Sequence, residues 1–120
     1  MSEAKHTGGC HCGAVRYEVQ GVDLSKPVLT CNCSICGRSG TMLAFVPQTQ
    51  FTLLSGEGAL KDYTFKNQVI HHLFCTTCGI KSFARAIKPD GTPMVAVNVR
   101  CLDGIELDEL QHHKFDGRAV

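Results

Sequence analysis

Gly8-Gly9-Cys10-His11-Cys12-Gly13, Cys31-Asn32-Cys33-Ser34-Ile35-Cys36 and Phe74-Cys75-Thr76-Thr77-Cys78-Gly79 decide the fold, because seven of the eight cysteines lie in these three short runs. Thiolates two or three positions apart suit soft, four-coordinate metal ions. Zn²⁺ holds sulfur at about 2.3 Å, so chelating groups must converge from separate parts of a chain. A C-x-C pair is too close to bridge itself without strain. Disulfide frameworks also spread their cysteines along shorter, secreted chains, whereas these are bunched. The spacing favours metal over disulfides.

Working outward from the clusters, the chain alternates in short segments. Ala14 to Val19 reads as a strand ending at Gly21, and Pro27 to Thr30 as a short strand delivering Cys31. The segment through Ser39-Gly40 reads as a metal loop with room for one helical turn. Thr41 to Val46 is an apolar strand stopped by Pro47, and Phe51 to Leu54 alternates less cleanly. Leu60 to Phe65 reads as a half-buried strand turning at Lys66-Asn67, Val69 to Phe74 as a strand entering Cys75, and Lys81 to Ile87 as another. In Lys88-Pro89-Asp90-Gly91, Pro presets φ and Gly supplies φ > 0, which makes a turn. Met94 to Val99 is a further strand, and Leu102 to Leu110 fits a strand or a single helix equally. About eight short strands without a sustained helical period predict an all-β fold. No linker or repeat interrupts the chain, so residues 1–120 are expected to form one domain with an ordered core over about 7–116. Phe45, Phe65, Phe74 and Phe83 are the expected aromatic core.

Composition narrows the function classes. An apolar fraction of 43% and a charged fraction of 19% are those of an ordinary globular chain. A net charge of +1 without a basic run leaves no footprint for nucleic acid. No apolar stretch is long enough to span a membrane, and the polar start carries no signal-peptide core. The expected address is the cytoplasm, where thiols stay reduced.

The seven clustered cysteines divide by spacing. Cys75-x-x-Cys78-Gly79 lets two sulfurs face one point, and Cys10-x-Cys12, with glycines on both sides, supplies a second pair. Together they complete a four-thiolate structural site, and closing so long a loop adds stability directly. Cys31, Cys33 and Cys36 remain: three thiolates that leave a fourth position for water or substrate, the arrangement of catalytic rather than structural zinc. The alternative is that Cys101 or a histidine fills that position and both sites are structural, giving a non-catalytic two-zinc binding module.

These three runs, in this order and spacing from Gly8 to about Gly104, resemble the signature of the glutathione-dependent formaldehyde-activating enzyme family, which includes centromere protein V. Asn98-Val99-Arg100-Cys101-Leu102-Asp103-Gly104 is similar to the family's C-terminal stretch. The resemblance implies a zinc-bearing set of coiled β-sheets of the Mss-four-like type. It implies structural zinc on Cys10, Cys12, Cys75 and Cys78 and catalytic zinc on Cys31, Cys33 and Cys36. It further implies a carbon–sulfur lyase activity that joins a small thiol such as glutathione to an aldehyde, formaldehyde in the family's type reaction, and the reverse. This chain is shorter than the type enzyme.

Three thiolates on a divalent ion leave a formal charge of −1, which weakens Lewis acidity and favours thiol delivery over water activation. Glutathione's carboxylates would need cations, and Arg38, Arg85 and Arg100 lie nearest the motifs, with Arg38 two residues beyond the second cluster. His71 and His72 face opposite ways on a strand, so at most one looks toward a metal; a surface or hydrogen-bonded role is expected for both. His11 is expected to point away from the ion, and His112-His113 to lie in a solvated tail. Asn98 and Arg100 share a strand face at period two, read as exposed, and Cys101 is expected to be a buried free thiol.

Overall fold

Strand β1, Lys5–Gly9, runs into the first cysteine run and returns as β2, Arg16–Gln20, with Gly9 opposite Arg16. The computed structural model describes residues 5–64 and 70–116. Strand β5, Phe51–Ser55, joins the other edge of β2 to give a three-stranded antiparallel sheet. A second, seven-stranded sheet has the order β10-β3-β4-β9-β8-β7-β6. Its members are β3 (Val28–Cys31), β4 (Leu43–Pro47), β6 (Leu60–Tyr63), β7 (His71–Cys75), β8 (Phe83–Ile87), β9 (Pro93–Asn98) and β10 (His112–Phe115). Every pairing is antiparallel except β10 along β3. The fold is all-β, with one six-residue helix, α1 (Ser34–Ser39), among the described residues.

Alternation along β2 turns Tyr17 and Val19 inward, and they meet Val46, Phe83, Val95 and Val97 of the larger sheet in one buried cluster. Rings of Tyr17, Phe51 and Phe83 join the sheets, with centroids 5.0 Å (Tyr17–Phe51) and 4.6 Å (Phe51–Phe83) apart. Fully burying side chains of this size is worth about 1.5–3 kcal/mol each. Backbones approach closely where glycine allows it. A Cβ on Gly8 would sit 2.5 Å from the Cys101 carbonyl oxygen and 3.0 Å from the Tyr17 hydroxyl.

Several expectations need correction. Phe45 is 51% exposed, because Val46 takes the inward position of β4 and Phe45 lies opposite Ala96 on the outer face. Phe83 is fully buried and Phe74 half-buried, while Phe65 and the turn at Lys66-Asn67 fall outside the described residues. His112 and His113 are not a loose tail: they open β10, which runs parallel to β3, though both stay exposed. Residues 102–110 form neither a strand nor a full helix; they hold an isolated bridge at Leu102 and a 3₁₀ turn at Leu107–Glu109.

Candidate functional site

The first cluster forms where two hairpin turns of different sheets meet. Between β1 and β2 the Cys10 amide donates to the Val15 carbonyl at 3.1 Å, and the Val15 amide returns to Cys10 Sγ at 3.3 Å. Between β7 and β8 the Cys75 amide donates to the Ile80 carbonyl at 3.0 Å, Gly79 turns with φ +79°, and the Thr77 amide donates to Cys75 Sγ at 3.4 Å. The sulfurs of Cys10, Cys12, Cys75 and Cys78 all lie within 4.8 Å of one another. Cys12 Sγ is 3.6 Å from both Cys10 Sγ and Cys75 Sγ. Sulfurs at the corners of a tetrahedron with ~2.3 Å bonds stand about 3.8 Å apart, so this donor set fits a thiophilic four-coordinate ion.

Electrostatics agrees with that geometry. Backbone N–H groups of Cys12 and Ile80 pull the Cys78 thiol down to about 6, and those of Cys78 and Thr77 lower Cys75. At Cys12 the Ala14 amide lowers the value, but Cys10, burial and the thiols of Cys75 and Cys78 outweigh it and push it up to about 11. Amide donors aimed at sulfur stabilise thiolates, the form that binds metal.

The second cluster is assembled differently. Strand β3 ends at Cys31, Cys33 occupies the N-cap of α1, and Cys36 lies one turn into the helix. The Gly37 amide bonds the Cys33 carbonyl at 2.8 Å, and the helix stops at Gly40 with φ +70°. The three sulfurs lie within 4.8 Å of one another, and the Cys33 amide donates to Cys31 Sγ at 3.4 Å. The helix sits on the outer face of the large sheet, where Cys36 packs with Leu43, Ala84 and Ala96 under Leu29 and Ile35. The C-terminal strand clamps the loop: the Asn32 amide bonds the Phe115 carbonyl at 3.2 Å, and Asn32 Nδ2 donates to Asp116 at 2.9 Å. Burial pushes the Cys36 thiol up to about 11, whereas Cys33 is lowered: burial opposes this, but the amides of Cys36 and Ile35 and the neighbouring thiols prevail.

Cys101 belongs to neither sulfur group. It closes the 3₁₀ turn Val99–Cys101, partly buried, with Sγ 3.7 Å from Asn98 Nδ2 and 4.0 Å from the Lys81 carbonyl oxygen. Asn98 is not on an exposed face. It is buried, its side-chain oxygen accepts from the amides of Met42 and Arg100, both at 3.2 Å, and its Nδ2 donates to the Lys81 carbonyl at 3.0 Å. Arg100 is exposed, with Nε donating to the Gly40 carbonyl at 3.0 Å. Both border a cavity of about 480 Å³ beside the first cluster, shared with Cys10, Thr41, Lys81 and Cys101. Arg38 lies elsewhere. It donates to the Ser34 carbonyl at 2.8 Å and lines an open hollow of about 510 Å³ with Ile35 and Tyr63. Arg85 stacks over Phe83, 5.4 Å from the ring centroid.

The two histidines of β7 part company. His71 is exposed and its Nδ1 meets Asp62 Oδ2 at 2.6 Å. His72 is 6% exposed, so a surface role fits only its neighbour; burial, with help from Lys81, drives it down to about 4. His11 is exposed and joins neither cluster. One residue escaped the sequence reading altogether. Lys81 is partly buried, and its ammonium acts electrostatically on Cys36, Cys33 and His72. Burial lowers it, and the charge of Cys36 and Cys33 pulls it back up. Nothing in the spacing marks it, because a lysine three residues past Cys78 reads as an ordinary turn cation.

A β-protein with two cysteine clusters, each able to hold a metal ion, is the class that fold and site define. The model of the glutathione-dependent formaldehyde-activating enzyme family matches residues 5–115, and the chain belongs to that family. It is also similar to the crystal structure of a protein from Rhodobacter sphaeroides, with 31% identity and a TM-score of 0.76 over 89% of this chain and 99% of that one. No helix among the described residues is long and apolar enough to cross a membrane.

Proposed function

We propose that the protein is a zinc-dependent carbon–sulfur lyase that forms or cleaves the adduct of a small thiol, such as glutathione, with an aldehyde. Cys10, Cys12, Cys75 and Cys78 hold a structural zinc in this reading, and Cys31, Cys33 and Cys36 hold the catalytic one. The observation that carries it is the difference in donor number: four sulfurs group in the first cluster and three in the second among the described residues. Cys31, Cys33 and Cys36 would hold a zinc ion with a position left for substrate, and the ion would there supply stabilisation of the thiolate form of an incoming thiol. The reaction then needs only one C–S bond to form, with the thiol proton passing to the carbonyl oxygen.

The protein's residues supply the rest. Arg100, lining the cavity beside Cys10, and Arg38, at the edge of α1, are the cations for the thiol's carboxylates. Leu43, Ala84 and Ala96 form an apolar floor that excludes water from one side of the thiolates. Thiolates held in this way imply a reducing compartment such as the cytoplasm.

The test has two parts. Metal analysis of the purified protein should find about two zinc per chain. The zinc-loaded protein should then accelerate exchange between ¹³C-formaldehyde, glutathione and their adduct in exchange NMR, and Cys33→Ser should abolish this with one zinc retained. Two zinc without acceleration would favour a non-catalytic binding module.

A further inference from the structure

We infer that the second cluster works on an aldehyde with an apolar substituent, which lies in a hollow on the outer face of the large sheet. The inference rests on the reading above, that a thiol and an aldehyde join at Cys31, Cys33 and Cys36. Strand register builds the hollow. Leu29 stands opposite Leu43, and Phe45 follows Leu43 by two positions on the same face. Cys31 follows Leu29 by two positions as well, so about 7 Å of strand separates the hollow's floor from Cys31. On the other flank β10 runs parallel to β3, setting His113 beside Leu29 and Phe115 beside Cys31. Leu29, Leu43, Phe45 and His113 line a hollow of about 530 Å³, the size of a small-ligand pocket.

Hollow and cluster share a wall. Leu43 belongs to the buried group around Cys36, and Leu29, Cys31 and Cys33 pack against that group. Phe45, at the hollow, and Phe115, beside Cys31, are 51% and 42% exposed, so aromatic surface is left open on this face. Charge assigns the two halves of the adduct. Toward β6, the hollow with Ile35 and Tyr63 carries Arg38, a cation for the thiol's carboxylates. The hollow toward β3 has an apolar floor. Its charged members Asp23 and Lys26 are exposed on the loop before β3, and Asp23 already accepts from the Ser25 amide at 3.0 Å. A carboxylated thiol fits the first hollow and an alkyl or aryl group the second. The step balances without a co-reactant: the thiol sulfur bonds the carbonyl carbon, and the thiol proton passes to the carbonyl oxygen.

The experiment gives the zinc-loaded full chain glutathione with acetaldehyde, propanal, butanal or pentanal, and reads each exchange rate against the uncatalysed one. Each buried methylene raises the acceleration by up to about fourfold, so pentanal should exceed acetaldehyde by about tenfold or more. Phe45→Thr, at an exposed strand position, should bring that ratio toward one. A second readout needs no turnover: pentan-1-ol, which forms no adduct, should shift the amide signals of Leu29, Leu43 and Phe45 in ¹⁵N NMR of the parent. The shifts at Leu29 and Leu43 should vanish in Phe45→Thr. Should that variant not fold, the aldehyde series and the pentan-1-ol shifts of the parent decide. A flat aldehyde series, a ratio untouched by Phe45→Thr, or no shift with pentan-1-ol would overturn the assignment. Acceleration of no aldehyde, formaldehyde included, would sink the lyase reading itself, a different outcome from acceleration blind to chain length.

Discussion

Replacing Cys12 by serine separates the work of the two clusters. Cys12 is exposed, so the substitution buries no new polar group and its cost reports the lost metal link. Its sulfur meets that of Cys75 across 63 positions of chain. The loop-closure relation for a cross-link of that span gives about 4 kcal/mol of stabilisation. The second cluster ties together only five positions, Cys31 to Cys36, and the same relation gives about 2 kcal/mol. With 120 residues, each kcal/mol moves the melting temperature by about 4 °C. Cys12→Ser should therefore melt about 15 °C below the parent and Cys33→Ser about 8 °C below. Circular-dichroism melts after passage over chelating resin would show this, with metal content measured on the same samples. If Cys33→Ser melts as low as Cys12→Ser while each loses one ion, the division into structural and reactive centres is wrong.

Three further outcomes follow from particular contacts. Gly56 has φ +94°, and a Cβ there would sit 2.4 Å from the Ala14 carbonyl oxygen, so Gly56→Ala should cost about 2–4 kcal/mol in urea unfolding. Asn98→Ala strands the amides of Met42 and Arg100 and the Lys81 carbonyl, and about 2–4 kcal/mol should be lost in the same assay. His72, held at about 4 against an ordinary 6.5, is neutral in both folded and unfolded chains above pH 6.5. As pH falls from 6.5 to 4 the unfolded chain takes up the proton first, so stability drops by up to about 3 kcal/mol. His72→Asn should remove that part of the slope, and an unchanged slope would show that His72 does not titrate in this window.

Much of this was legible without coordinates. The chelating runs were legible because a C-x-x-C turn faces two sulfurs to one point wherever it occurs, whereas the meeting of Cys10 and Cys12 with Cys75 and Cys78 is made by the fold. Strands 14–19 and 94–99 were readable because alternation and turn residues are local as well. The faces of strands were less so. Phe45 looked like core, yet its neighbour Val46 took the inward place, and only the pairing of β4 with β9 decides which of two adjacent apolar residues turns in. That His71 and His72 face opposite ways was legible from the strand period, and the sheet decided that His71 goes to solvent and His72 is buried.

The sequence by itself thus determined that the cysteines form local groups able to hold a metal ion, and the all-β class, since both follow from spacing within a few residues. Tertiary structure alone decided which cations and polar groups meet those sulfurs. The backbone of Lys81 meets the buried Asn98 because β8 pairs with β9, and Asn98 Nδ2 donates to its carbonyl. β10 clamps Asn32 because it runs along β3 from 84 positions away. Such contacts depend on which strands pair, and pairing is set by burying the shared core rather than by any short run of residues.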